Sequence, residues 1–259
     1  MGADNFKKPT IEDIVQPGLS TPVGAPMIPP FPFGFRDMEI LTLMYRSSSE
    51  AINKHLPPPL VSTSDVVMVH IYNMNDPDWI GPYNESNIMI GCNLKGTNIK
   101  GGYSPYLFLN NSIGISHGRE IHGQPKKYGD PKIEFRNDLI VGTIKRNGLD
   151  IFTGTLAYKQ NRDDVSSMSS YFDFSTNLNL KVVDHIDERP AIRQLTSRKI
   201  TDLKVHECWS GPCTVDLKPN AQAPLHRLPV LEMLNGFYWR ADFTLIKGEI
   251  VHDYLKENE

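Results

Sequence analysis

The sequence predicts a mainly β fold with a few helices, arranged as a barrel or a sandwich. First, segments in which apolar and polar residues alternate outnumber the segments with helical spacing. Second, the segments with helical signals are short, and a proline ends one of them. Third, a chain of 259 residues is long enough to bury a large single core.

The first 32 residues are predicted to form an extended arm. Seven prolines occur between residues 9 and 32, and proline removes hydrogen-bond donors and disfavours helix. We expect such an arm to pack on a neighbouring subunit. The remainder, residues 33–259, is predicted to form one domain.

Two helices are predicted. Residues 47–50 have the serine-to-glutamate spacing of a capping box, with Ser47 as the cap, and Pro57 ends the helix that follows. A second helix is expected to start near Pro229 and to run through residue 234.

Strands are predicted wherever apolar residues alternate with polar ones, and a polar segment at 161–170 is predicted to be a loop. The predicted strand segments are 65–72, 133–135, 151–156, 178–182, 203–205 and 239–245. In the first of these, a period of two places Val66, Met68, His70 and Tyr72 on one mostly apolar face.

Composition and charge exclude several classes of protein. A formal net charge of -3 and a pI near 6.2 give no reason to expect nucleic acid as a partner. No apolar run approaches the length that crosses a bilayer, and the first residues lack the apolar stretch of a secretion signal. We therefore expect a cytoplasmic protein with no membrane partner.

The cysteines and the absence of cofactor motifs point the same way. Three cysteines are sparse and odd in number, which is typical of a reducing compartment. The spacing of His206, Cys208 and Cys213 does not match a zinc site. No dinucleotide, phosphate-loop or nucleophile-elbow motif is present, so we expect no metal and no organic cofactor.

A pair of adjacent lysines carries the chemistry. Lys126 and Lys127 follow Pro125 and are flanked by Gly123 and Gly129. A lysine that condenses with a ketone must be neutral, so its pKa must fall by about 3 to 4 pH units from the usual 10.4. We expect burial of Lys126 to be the larger cause and repulsion by Lys127 the smaller one. The alternative is a solvated Lys-Lys turn.

The sequence around the two lysines resembles a known active site. Residues 118–132 read GREIHGQPKKYGDPK and are similar to the active-site region of the acetoacetate decarboxylase family. Further matches occur in the same order at 45–46, 56–60, 81–86, 200–212, 223–230 and 251–255. The resemblance implies a closed β-barrel or double-sheet single domain, with residues 33–259 as the catalytic domain, and a homo-oligomer.

The resemblance also implies roles for particular residues. Lys126 corresponds to the lysine that forms the Schiff base, Lys127 to its cationic neighbour, and Glu85 to a glutamate in a Tyr-x-Glu-Ser element. The lysine itself supplies the electron sink. Glu120, beside the lysine segment, is a further candidate for binding the substrate and transferring protons.

Two positions, Met38 and His70, depart from the family pattern, and Arg36 lies near the first of them. Met38 occupies the place of a family arginine, with Arg36 nearby but out of register, and His70 occupies the place of a second glutamate. His70 has two interpretations: a core histidine bonded to its neighbours, or a proton donor to the carbanion equivalent. These differences affect the expected substrate more than the expected imine.

The sequence therefore predicts a cofactor-independent lyase that forms a lysine Schiff base with a small keto substrate and decarboxylates a β-keto acid. One alternative keeps the imine but performs aldol cleavage or dehydration on a larger or non-carboxylate keto substrate. Another is a family member that binds a ligand without turnover.

Overall fold

The computed structural model describes residues 10–12, 20–23 and 25–256, and most of them lie in β-strands. The strands in chain order are β1 (Phe33–Arg46), β2 (Leu60–Met74), β3 (Asp76–Pro77), β4 (Tyr83–Leu94), β5 (Lys100–Leu109), β6 (Lys126–Tyr128), β7 (Asp130–Arg136), β8 (Leu139–Arg146), β9 (Leu149–Ala157), β10 (Asn161–Arg162), β11 (Thr176–Asp184), β12 (Pro190–Leu217), β13 (Glu232–Leu245) and β14 (Glu249–Asp253). The helices are α1 (Ser49–His55), α2 (Ser112–His117), a π-helical turn (Gly118–His122), α3 (Ser166–Ser169) and a 3-10 turn (Leu225–Arg227). No helix in these ranges is both long and apolar enough to cross a membrane.

Seven strands close into a barrel in the order β11-β5-β4-β2-β1-β13-β12, and pairing of β12 with β11 completes the ring. All of these pairings are antiparallel except β5 with β11. Closure leaves a barrel interior lined by every second side chain of each strand. The predicted barrel is confirmed.

The 28-residue strand β12 joins the barrel to a second sheet. Its first part pairs with β11, its middle with β13 and its last part with β9. Strands β9, β8 and β7 continue the second sheet outward. This sheet covers one side of the barrel wall.

Alternating residues of the barrel wall therefore enter two different cores. The outer core lies between the barrel and the second sheet and includes Leu41, Leu43, Ile71 and Phe152. The inner core fills the barrel and includes, among others, Met38, Ile40, Met68, Phe237 and Trp239. From Met38 onward, the odd-numbered residues of β1 pack against the second sheet and the even-numbered ones fill the barrel. Before the irregularity between Phe35 and Met38 the parity is reversed, so Phe33 and Phe35 also enter the inner core.

The first helix is confirmed with a different cap. Helix α1 begins at Ser49, and the Oγ of Ser48, not of Ser47, accepts a hydrogen bond of 3.1 Å from the backbone N of Ala51. The buried Oγ of Ser47 has no hydrogen-bond partner. The helix ends before Pro57, as predicted.

The second predicted helix is wrong. Residues from Glu232 onward form β13, and only a 3-10 turn at Leu225–Arg227 precedes them. Met233 pairs with Tyr45 of β1. Pairing with an existing strand thus overrides the local helical preference of a short apolar run.

All six predicted strand segments lie within observed strands. The loop predicted at 161–170 is wrong, because it contains β10 and α3. Met168 of α3 is fully buried in the inner core, so this polar segment closes part of the barrel interior instead of being solvated throughout.

The predicted N-terminal arm is only partly within the described residues. Near its end, the ring of Phe31 lies 4.9 Å from the ring of His117 and 5.5 Å from that of Phe33. This part of the arm therefore packs on its own chain. Residues 1–9, 13–19 and 24 lie outside the described residues.

Candidate active site

The lysine pair lies on the short strand β6, which pairs in parallel with β5. Because adjacent residues of a strand point to opposite sides, the two lysines diverge. Lys126 is buried, whereas Lys127 is exposed and its Nζ donates a hydrogen bond of 3.0 Å to the backbone oxygen of Gln222. Only one amine of the pair therefore enters the barrel.

Two glycines allow the chain to bring Lys126 into place. Gly123 has a φ of 75°, and a Cβ there would lie 2.5 Å from the Cα of Lys181. At Gly118, a Cβ would lie 2.4 Å from Cδ and 2.7 Å from Cε of Lys126. The lysine stem thus runs directly over the π-helical turn, which leaves it little freedom.

The Nζ of Lys126 donates a hydrogen bond of 2.9 Å to Oε2 of Glu85, and both side chains are less than 10% exposed. Glu85 lies on β4 opposite Tyr72 of β2. The hydroxyl of Tyr83 also interacts with Glu85, and burial followed by the charge of Glu85 raises the pKa of Tyr83 well above its usual value. Tyr83 is therefore a neutral donor beside the ion pair.

Lys126 and Glu85 face an enclosed cavity of about 70 Å³ inside the barrel. Half of its 22 lining residues are apolar: Phe33, Phe35, Ile40, Met74, Ile80, Met89, Phe174, Ile200, Trp239, Phe243 and Leu245. A dry cavity of about 150 Å³ admits benzene. The volume here therefore favours ligands with only a few heavy atoms.

Burial is the largest influence on the amine and lowers the pKa of Lys126. The positive charge of Arg198 lowers this pKa further, while the charge and hydrogen bond of Glu85 oppose the change. The net direction is downward, toward the neutral amine that attacks carbonyl carbon. Arg198, not Lys127, is the neighbouring cation that acts on Lys126, which corrects the expectation from the sequence.

Arg198 lies on β12 opposite Asn177 of β11 and lines the same cavity. Its Nη2 is 3.5 Å from Oδ1 of Asn177, and its buried Nε has no hydrogen-bond partner. Asn177 Oδ1 also accepts a bond of 3.2 Å from Nε2 of Gln124. Burial lowers the pKa of Arg198, and the charge of Glu85 opposes this.

Two histidines adjoin the cavity region as neutral rings. Burial, then the charges of Lys126 and Arg198, lowers the pKa of His117 to about 3. Burial, then Arg198, lowers the pKa of His122 to about 2. The rings lie 5.3 Å apart, and neither Nε2 has a hydrogen-bond partner.

Four residues proposed from the sequence lie outside the cavity lining. Arg36 is exposed and forms ion pairs of 2.7 Å with Asp76 and Asp78. Glu120 is exposed on the outer side of the π-helical turn. Met38 is fully buried in the inner core. Arg36 and Glu120, which the sequence suggested as substrate-binding residues, are therefore not among the residues that line the cavity with Lys126.

His70 is the fourth of these residues and lies in the barrel interior. Its Nδ1 is 2.9 Å from Oγ1 of Thr42, which also accepts a bond of 3.0 Å from Nε1 of Trp239. Burial lowers the pKa of His70 to about 3. The ring stacks on Tyr72 at 5.8 Å. This arrangement matches a core histidine, and a neutral ring with so low a pKa is a poor proton donor.

The sequence reasoning missed Arg198, Asn177 and His117. A signal for Arg198 was present: on a strand, Thr196, Arg198 and Ile200 share one face, immediately before a recognised family segment. Using it requires knowing that β12 extends this far and that this face is the inner one. Among the residues that the structure describes, no group of three or more His, Cys, Asp or Glu side chains is arranged to hold a metal ion.

The sequence of this chain is similar to those of known enzymes over nearly its whole length. The sequence pattern of one protein family, described as Acetoacetate decarboxylase (ADC), matches residues 18–255. An acetoacetate decarboxylase of Clostridium acetobutylicum is 35% identical over 246 residues, covering 95% of this chain and 100% of the relative. A match of this extent includes every element that forms the cavity.

Solved structures agree with the sequence comparison. A structure of acetoacetate decarboxylase superposes with a TM-score of 0.86 at 35% identity and covers 94% of this chain and 98% of the other. The Legionella pneumophila acetoacetate decarboxylase gives the same TM-score at 28% identity, with 98% and 100% coverage. The barrel, the second sheet and the lysine segment therefore belong to a fold already seen in these enzymes.

Proposed function

The chain belongs to the acetoacetate decarboxylase family and is a carbon–carbon lyase, and we propose that it decarboxylates a short β-keto acid through an imine on Lys126. No cofactor takes part in this proposal. The single observation that carries it is a buried amine, 2.9 Å from Glu85, facing a small cavity inside the barrel.

The reaction follows from the state of that amine. Neutral Lys126 attacks the carbonyl carbon of the substrate, and loss of water with uptake of one proton gives a protonated imine. The bond between the α-carbon and the carboxylate then breaks, and its electron pair moves into the imine to form a neutral enamine. Carbon dioxide leaves. Protonation of the α-carbon and addition of water release the ketone and restore the amine.

Glu85 is the proposed proton partner of the lysine. Its Oε2 is within hydrogen-bond distance of Nζ, so it can accept the proton that Lys126 must lose before attack. The same contact fixes the direction of the nitrogen. Tyr83 and Tyr72, both kept protonated by burial, surround the carboxylate with neutral groups.

Other features remain part of the proposal. We propose residues 33–259 as the catalytic domain, a homo-oligomer as its assembly and the cytoplasm as its compartment. The free state of Cys92, Cys208 and Cys213 supports a reducing compartment. The resemblance of the chain to its family supports the homo-oligomer.

Trapping tests the proposal. Incubation with acetoacetate and borohydride should reduce the imine and leave a stable adduct on Lys126, with release of carbon dioxide before reduction. Lys126→Arg, which keeps the charge and removes the nucleophile, should give no adduct and no gas. An adduct on another residue, or none, contradicts the proposal.

The same assay separates the alternatives. An adduct on Lys126 together with turnover that releases no carbon dioxide would indicate aldol or dehydration chemistry. Binding of ketones with neither adduct nor product would indicate a non-catalytic family member. Gas release that depends on Lys126 excludes both.

A further inference from the structure

Arg198 is a cation of the cavity for which the described residues supply no carboxylate partner. Lys126, the other cation of the lining, has Glu85 at 2.9 Å. No Asp or Glu oxygen of the described residues lies within 4.0 Å of the guanidinium of Arg198. Its buried Nε is unpartnered, and its contact with Asn177 is a long one of 3.5 Å. The side chain of Arg198 is half-buried, and a guanidinium whose Nε is buried without a partner has unused donors.

The acceptor beside Arg198, the side chain of Asn177, is held in place by hydrogen bonds. The Nδ2 of Asn177 donates to Oγ of Ser104 at 2.8 Å and to the backbone oxygen of Gly102 at 3.1 Å. These two bonds set the amide so that Oδ1 points toward Arg198 and Gln124. Arg198 thus lines the cavity beside a fixed acceptor, with its buried Nε unpartnered.

Position 38, where the family pattern has an arginine, does not supply a cation to the cavity in this chain. Met38 stands there, fully buried in the inner core, and it does not line the cavity. The nearby Arg36 is outside and occupied by Asp76 and Asp78. If a cation contacts a substrate in this cavity, Arg198 is the side chain placed to do so.

The charges of the cavity indicate what that substrate carries. The charged lining residues are Glu85, Lys126 and Arg198. With an iminium on Lys126, they sum to one positive charge, which a single carboxylate cancels. After carbon dioxide leaves, the enamine is neutral and Arg198 balances Glu85. A second carboxylate would leave an uncompensated charge inside the barrel, which is costly.

We propose that Arg198 binds the substrate carboxylate in this protein, in place of the arginine expected at position 38, and selects β-keto acids with one carboxylate. This inference rests on the proposed function. The contact exists in the bound acid and disappears as the carboxylate becomes carbon dioxide. It therefore orients the substrate and strengthens its binding more than it accelerates bond breaking.

Steady-state kinetics of Arg198→Met test the inference, with Lys199→Met as the matched control. Lys199 is the next residue on β12, is exposed, and carries the same charge. For acetoacetate, Arg198→Met should raise KM by about 10- to 100-fold, since hydrogen bonds to charged groups contribute strongly to binding. Lys199→Met should stay within about twofold of the unaltered protein.

Acetone has no carboxylate, so trapping of acetone distinguishes carboxylate binding by Arg198 from the effect of Arg198 on the pKa of Lys126. Imine formation with acetone is measured by borohydride trapping for each variant at its own high-pH plateau, where the amine is neutral. Arg198→Met should trap acetone at a rate within about threefold of the unaltered protein. This result would also show that the variant folds and that the imine chemistry is intact.

Several outcomes would overturn the inference. Arg198 does not bind the carboxylate if Arg198→Met reduces acetone trapping and acetoacetate turnover by the same factor. The same conclusion follows if its KM for acetoacetate is unchanged at the high-pH plateau. If Arg198→Met does not fold, Arg198→Lys takes its place, with an expected rise in KM of about 3- to 10-fold for acetoacetate only. Failure of the unaltered protein to trap acetone would instead contradict the proposed function.

Discussion

The inner and outer cores both consist of buried side chains, but only the barrel interior contains buried charged residues. Between the barrel and the second sheet, the packed side chains are aliphatic and aromatic, such as Leu43 and Phe152. Within the described part of the chain, the only buried Asp, Glu, Lys or Arg residues are Glu85 and Lys126, and both face the cavity of the barrel. One barrel wall thus separates a purely structural core from a reactive one.

The difference has a physical cost that indicates its purpose. Taking an ion pair out of water costs several kcal/mol per ion, and apolar residues of similar volume often stabilise a protein as well or better. The outer core shows that this chain can fill space with apolar side chains. The charges inside the barrel are therefore expected to serve catalysis at the expense of stability.

The largest expected effect on stability is in the outer core. Leu43 is fully buried against Gly154 and Gly236, and Leu43→Ala should lower the free energy of unfolding by about 2 to 5 kcal/mol. Urea unfolding measures the change. In the folded fraction, the rate of imine trapping should stay unchanged. A folded Leu43→Ala protein that no longer traps ketones would show that the two cores are coupled.

A smaller effect should come from the neutral histidine of the inner core. Burial lowers the pKa of His70 to about 3, whereas an unfolded histidine titrates near 6.5. Between these values the unfolded chain binds more protons, so stability falls as pH falls from 6.5 toward 3. From pH 7 to pH 5 this histidine should account for about 2 kcal/mol of that loss.

His70→Gln removes the titrating group and keeps a polar side chain near Thr42. The variant should lose about 2 kcal/mol less stability than the unaltered protein when the pH is lowered from 7 to 5. Urea unfolding at the two pH values is the measurement. An unchanged pH dependence would mean that His70 is not held neutral in the folded state.

Much of the barrel could be predicted from the sequence because period-two alternation is a local signal. The segment 65–72 shows it, and its inward set includes His70 and Tyr72 as expected. The segment after Pro229 could not be assigned in this way. Its apolar residues fit a helix locally, and only pairing with β1, distant in sequence, makes them a strand.

The site was predictable where its residues fall in segments that resemble the family, as Lys126 and Glu85 do. Strand parity predicts that Lys126 and Lys127 point to opposite sides, and the family resemblance indicates that Lys126 is the reactive one. Arg198 lies 72 positions further along the chain, and its charge reaches the cavity only because β12 closes the barrel against β11. Long-range closure, which a single sequence does not reveal, decides which cation adjoins the amine.

The pH dependence of acetone trapping on Lys126 tests the buried amine most directly. We expect the rate to rise with pH through a midpoint well below 10.4, because burial lowers the pKa of Lys126. Glu85→Gln should move the midpoint lower still, since it removes the charge that raises this pKa, and Lys127→Met should leave the midpoint unchanged. A midpoint near 10.4 in the unaltered protein would contradict the proposal that the barrel interior creates a neutral lysine.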